Sequence, residues 1–135
     1  MNEIIDKVEN LIYEIREKQV MLDSDLANLY ECANGTKDIN KAVKRNIERF
    51  PDDFYFQLTQ EEYENLKFQN GTSKLIKHGG VRKIPYVFTE QGVAMLSSVL
   101  KTKIAAEVSI RIIRAFVTMR HYINNNEKYT TVEQA

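Results

Sequence analysis

The stretch from Thr36 to Phe50 limits what this chain can fold into more than any other. It is bounded by Asn34-Gly35, a turn signal, and by Pro51, which pushes Phe50 out of helical geometry. On a wheel of roughly 100° per residue, Ile39, Val43, Ile47 and Phe50 fall within about 80° of one another. Lys37, Lys41, Lys44 and Arg45 fall on the far side, in an arc of about 100° that holds only Glu48 as an acid. The spacing predicts one helix capped by Thr36 and running to about Arg49, with a core face and an opposite cationic face. Asn40 and Asn46 flank that cationic arc, and their amides suit base edges or phosphates.

A second, shorter helix precedes it. Asp23 is expected as its N-cap, with Asp25 in the first turn where it complements the helix dipole. Leu26, Ala27, Leu29 and Tyr30 make about two turns of helix, and residues 31–35 make a turn. A short helix, a turn and a helix with a basic outer face form a helix-turn-helix-like pair. In such a pair the second helix enters the major groove, N-terminal residues nearest the bases. Lys37, Asn40 and Lys41 are then expected near the bases and Lys44 and Arg45 on phosphates, with Thr36, Asn46 and Arg49 alongside. The turn is longer than the tight three- or four-residue form.

The remaining elements are short strands and helices. Residues 11–22 alternate apolar and polar and read as a hairpin interrupted at Glu17-Lys18. Residues 54–58 and 86–88 read as strands. Thr59-x-x-Glu62 is a capping box opening a helix to about Phe68. Thr89, followed by Glu90, caps a helix to about Leu100, and a last helix runs from near Lys103 to about Asn124. The expected fold is therefore α+β: a small antiparallel sheet, the helix-turn-helix-like pair and a long C-terminal helix. Residues 1–124 form one domain in this reading, and residues 125–135 a frayed tail or the start of a linker.

Charge sharpens the functional reading. The 135 residues carry 19 basic and 19 acidic side chains, a formal net charge of zero, which by itself argues against nucleic acid. The distribution is blocky: residues 1–31 carry −5, 32–51 carry +3, 52–66 carry −5, 67–83 carry +5 and 84–135 carry +2. The second basic block is a glycine-containing loop or hairpin arm with Lys74, Lys77, His78, Arg82 and Lys83 around Gly79-Gly80, suited to a phosphate backbone or a minor groove. The alternative is that the blocks merely neutralise one another across the fold.

Catalysis finds little footing. His78 and His121 are the only histidines and neither sits in a metal or nucleophile motif. Cys32 reads as a small, partly buried residue rather than a nucleophile. Neither phosphate-binding glycine motif is present, so no enzyme, metal or cofactor is expected. The aromatic residues Phe54, Tyr55, Phe56, Tyr86 and Phe88, at strand spacing, read as core more than as a base-stacking platform. The last helix is apolar on too many sides for a monomer's surface helix. Ile110, Ile113 and Val117 lie outside its main stripe and are the expected homodimer interface. No apolar run is long enough to span a membrane, and the start, Met1-Asn2-Glu3, lacks a signal peptide's features, so a cytoplasmic protein is expected.

Three phrases carry a resemblance. "IYEIREKQVMLDSDLANLY", "TKDINKAVKRNIERFPDDFYFQLTQEEYENL" and "VFTEQGVAMLSSVL" resemble the phage-type ORF-six N-terminal domain, a relative of the KilA-N DNA-binding domain, over about residues 8–122. The resemblance implies a DNA-binding regulator or antirepressor of a phage, a prophage or a phage-infected bacterial cell. Thr36, Lys37, Asn40, Val43, Lys44, Arg45 and Asn46 match its helix motif, and Arg82 and Lys83 its basic loop. It also implies double-stranded DNA as partner, with a repressor protein or a C-terminal effector domain as others. The competing reading is an interaction module of an antirepressor that binds a repressor and not DNA.

Overall fold

The computed structural model describes the backbone of residues 8–70 and 83–134, and the side chains of residues 8–69 and 83–121. Strand β1 (Tyr13–Ile15) turns through Arg16 and Glu17 into β2 (Lys18–Leu22). Helix α1 (Asp23–Leu29) follows directly, then α2 (Thr36–Arg45), a single 3-10 turn (Ile47–Arg49), and β3 (Tyr55–Gln57). Helix α3 (Gln60–Asn70), β4 (Tyr86–Thr89), α4 (Glu90–Leu100) and α5 (Lys103–Gln134) complete the order. This is the α+β architecture expected, with a long C-terminal helix that continues past the expected end near Asn124.

The sheet is antiparallel throughout, in the order β1-β2-β4-β3. Its register sorts side chains onto two faces, because neighbouring residues of a strand point to opposite sides. Met21 pairs with Phe88 and Tyr55 with Phe88 on one face; Tyr13 pairs with Val20, Leu22 with Val87 and Phe56 with Val87 on the other. Both faces are covered, so Val20, Met21 and Leu22 are buried in succession. The first face packs on Leu26, Ala27 and Tyr30 of the α1 region, Ile39 and Val43 of α2, Val93 and Leu96 of α4, and Ile112, Ala115 and Phe116 of α5. The second is closed by Tyr63 and Leu66 of α3 with Leu58.

Four local readings are corrected. The hairpin turn is Arg16-Glu17, one residue earlier than Glu17-Lys18. Both residues take positive φ (56° and 63°), the two-residue geometry that matches strand twist. Asp23 is the first helical residue, not the cap; Leu22 holds the cap position because β2 runs straight into α1. Its buried carboxylate instead accepts from the Tyr86 backbone N–H at 3.3 Å, fastening α1 to the start of β4. Thr36 is likewise already helical. Gly35 takes the cap position at φ 62°, and Asp38 reaches back to the Asn34 N–H at 3.1 Å while the Asn34 amide donates to its other oxygen at 3.2 Å. The second helix ends at Arg45, because Asn46 leaves helical geometry (φ −131°, ψ 37°) and its amide donates to the Ala42 carbonyl at 2.8 Å. Ile47 therefore swings outward and is 52% exposed, while Phe50 still reaches the core by way of the 3-10 turn.

Two sequence-readable caps form as expected. Thr59 N–H donates to Glu62 Oε1 at 2.8 Å and Glu62 N–H to Thr59 Oγ1 at 3.0 Å, a reciprocal capping box. Thr89 Oγ1 accepts from Gly92 N–H at 3.3 Å and opens α4. Arg16 fastens the hairpin turn to α3: its guanidinium donates to both Glu62 oxygens at 2.7 and 2.9 Å and lies 4.2 Å from the Phe56 ring centre. That pairing holds the Glu62 carboxyl below its ordinary range.

Candidate nucleic-acid interface

Helix α2 divides sharply between its faces. Ile39 and Val43, one turn apart, are fully or nearly fully buried. Lys37, Lys41, Lys44 and Arg45, on the opposite side, are all exposed. Thr36, Asn40 and Asn46 are half-buried at the borders, and Arg49 is exposed on the 3-10 turn. The one acid of the helix, Asp38, is committed to Asn34. Those hydrogen bonds, and secondarily the nearby Lys41 charge, lower its carboxyl pKa. Lys44 and Arg45 sit in the last turn, where cations are favoured by the exposed carbonyl ends of the helix.

The connection from α1 is built to a specific geometry. Glu31 has φ 57°; its N–H bonds the Asn28 carbonyl at 3.1 Å and the Cys32 N–H bonds the Ala27 carbonyl at 3.0 Å. This is the paired-bond stop of a helix with a left-handed residue just beyond its cap. Tyr30 anchors the turn from below: its hydroxyl and that of Ser109 on α5 are 2.7 Å apart and buried. Burial pushes the Tyr30 phenol up to about 12. The pair α1–α2 is thus held on α5 as well as on the sheet.

The basic loop contributes one described residue. Lys83 is exposed, just before β4, and close enough to Asp23 for its charge to act on that carboxyl, whose pKa burial raises overall. It lines a groove of about 660 Å³ together with Thr36 and Asn40 from the start of α2. Residues far apart in sequence therefore meet at the N-terminal end of α2. Lys74, Lys77, His78 and Arg82 lie outside the described residues. Ser24 and Asn28 also line this groove and were not singled out from sequence. Both are exposed and four residues apart on α1, and that spacing of polar residues on a short helix was the available signal. Asp25 and Glu31 line the same groove and add negative charge to it.

Other candidates resolve differently. Cys32 is half-buried, and burial, with the Asp38 charge, pushes its thiol up rather than toward a reactive thiolate. Among the described residues no group of three or more His, Cys, Asp or Glu side chains is placed to hold a metal. The strand aromatics engage one another: Tyr55 stacks on Tyr86 at 5.3 Å and meets Phe50 edge-on at 5.7 Å. On α5, Ile110 is 52% exposed and Ile113 and Val117 are half-buried. No helix among the described residues is long and apolar enough to cross a membrane.

No curated protein and no solved structure matches the chain. The sequence profile of the ORF6N domain matches residues 10–99, a span that holds β1 through most of α4 and with them the whole α1–α2 pair. The chain therefore belongs to the ORF6N domain family, a phage-type family of regulators and antirepressors.

Proposed function

We propose that this protein is a sequence-specific DNA-binding domain of a phage or prophage regulator, and that α2 is the helix it lays in the major groove. The observation that carries this reading is the exposed cationic face of α2, with Lys37, Lys41, Lys44 and Arg45 directly opposite the buried Ile39 and Val43. Commitment of Asp38 to Asn34 supports it, since the one acid in the helix is then engaged at the turn. In this pose Lys44 and Arg45 meet phosphates, while Lys37, Asn40 and Lys41 lie nearer base edges. In the same pose Ser24 and Asn28 on α1, which line the groove beside α2, meet the backbone as the first helix of such a pair does. In this pose Lys83 extends the contact beyond α2.

The test has two parts. Selection of bound duplexes from a random pool is expected to enrich one site. On that site the Lys44→Ala/Arg45→Ala variant, which changes only exposed side chains, is expected to reduce the slope of log affinity against log salt by about 2. A folded variant with unchanged affinity and slope removes α2 from the interface. Failure of the intact chain to enrich any duplex, together with capture of a repressor, gives the interaction-module reading instead.

A further inference from the structure

Helix α5 carries an apolar seam that the described fold leaves partly open. Ala106, Ile110, Ile113 and Val117 follow one another at alternating intervals of four and three residues, within an arc of about 60° on the helix. That alternation is the seam of a two-stranded coiled coil. Ala106 and Ile110 are exposed, Ile113 and Val117 are half-buried, and none of the four belongs to either buried core or to the rim packed on them. On one side the seam borders the helix's own core-facing residues, Ser109 and Phe116. On the other stand Glu107 and Arg114, both exposed.

The order of these charges selects the occupant. Glu107 and Arg114 are one heptad apart and so hold equivalent positions beside the seam. When two copies of α5 run antiparallel about a two-fold axis near Arg111 and Ile112, Ile110 of one meets Ile113 of the other and Ala106 meets Val117. The same operation places Glu107 beside Arg114 of the second copy, and repeats that pairing on the other side of the axis. A parallel pair would instead set Glu107 and Arg114 against the positions of Ser109 and Phe116, which carry no charge and face the core. We propose that α5 is a docking surface for α5 of a second copy of this chain, joined antiparallel through Ile110, Ile113 and Val117. The seam is about 17 Å long, so the interface belongs to the small, transient class rather than the permanent one. The proposal does not depend on DNA binding and is read by mass alone.

Sedimentation equilibrium of the 135-residue chain, from low micromolar to several hundred micromolar protein, is the experiment. The mass is expected to rise with concentration from 15.7 kDa toward twice that value. Ile110→Asp, at an exposed position, is expected to stay monomeric throughout with an unchanged circular dichroism spectrum and melting temperature. Glu107→Arg alone and Arg114→Glu alone are each expected to weaken association about tenfold, since each breaks both symmetric ion pairs and sets like charges together. The combined Glu107→Arg/Arg114→Glu variant is expected to restore it. A monomer at every concentration overturns the proposal, as does association that survives Ile110→Asp. A combined charge swap no stronger than the single ones overturns the antiparallel pairing.

Discussion

Gly92 shows how a single residue decides whether α4 can dock. It lies three residues after the cap Thr89, where the Phe54 carbonyl passes over the helix start. A Cβ built there would stand 2.0 Å from the Phe54 oxygen and 3.3 Å from Phe88 Cδ2. The same carbonyl already accepts from the Thr89 N–H at 3.0 Å and shares the Thr89 hydroxyl with the Asp53 carbonyl, so it cannot retreat without breaking the first bond. By helix propensity alone Gly92→Ala gains about 1 kcal/mol. The close approach reverses the sign, and the variant is expected to lose about 3 kcal/mol, read from the urea midpoint. A variant as stable as the parent would mean that the loop at Phe54 yields. The sequence offered Thr89 as a cap with a glycine three residues on, but what passes above that glycine is set by a strand and loop more than thirty residues away.

At the scale of elements, the α1–α2 pair was legible in outline and not in its joints. Periodicity located both helices because a half-buried helix must repeat its apolar residues every three or four positions, as Ile39 and Val43 do. The caps were misplaced because Asp23 and Thr36 look equally good just outside or just inside a helix. The deciding partner of Asp23 is Tyr86, and α1 begins where β2 pairing ends. Glu31 is the element's weak joint, since a non-glycine residue in the left-handed region costs about 1–2 kcal/mol. Glu31→Gly keeps both helix-ending hydrogen bonds, which use only backbone atoms, and relieves that strain. Glycine's freer unfolded state takes back part of the gain. The variant is expected to be more stable by about 0.5 kcal/mol, measured as a rise in melting temperature. A lower melting temperature would mean that the Glu31 side chain is contributing more than its backbone strain costs.

For the whole molecule, two carboxylates link stability to pH with opposite signs. Glu62 has a depressed folded pKa, mainly from the Arg16 hydrogen bond, so its contribution is present above the ordinary carboxylate range and lost as pH falls through the folded value. Asp23 has a raised folded pKa, mainly from burial, so its ionisation opposes folding; protonation relieves the penalty as pH falls toward the ordinary range. The Asp23→Asn variant keeps an acceptor for the Tyr86 N–H and lacks the buried charge. Its stability advantage over the parent is expected to be largest at neutral pH and to shrink as pH falls through the raised folded value toward the ordinary carboxylate range. Glu62→Gln should behave in the opposite sense, with a deficit at neutral pH that vanishes in acid. Chemical denaturation across the acid range checks both, and parallel pH profiles for parent and variants would contradict the assignment.

By itself the sequence determined the fold class, the number and kind of most elements, the cationic face of α2 and membership of the family. These follow from local periodicity, capping chemistry and long shared phrases, each written within a few consecutive residues. Tertiary structure alone decided that Lys83 joins Thr36 and Asn40 at one groove, that Asp23 clasps β4, and that the wheel breaks at Asn46 and turns Ile47 outward. It also left the α5 seam beyond both cores. Such facts depend on which distant residue arrives at a given backbone group or apolar face, and sheet register and helix docking set that meeting through contacts no local pattern encodes.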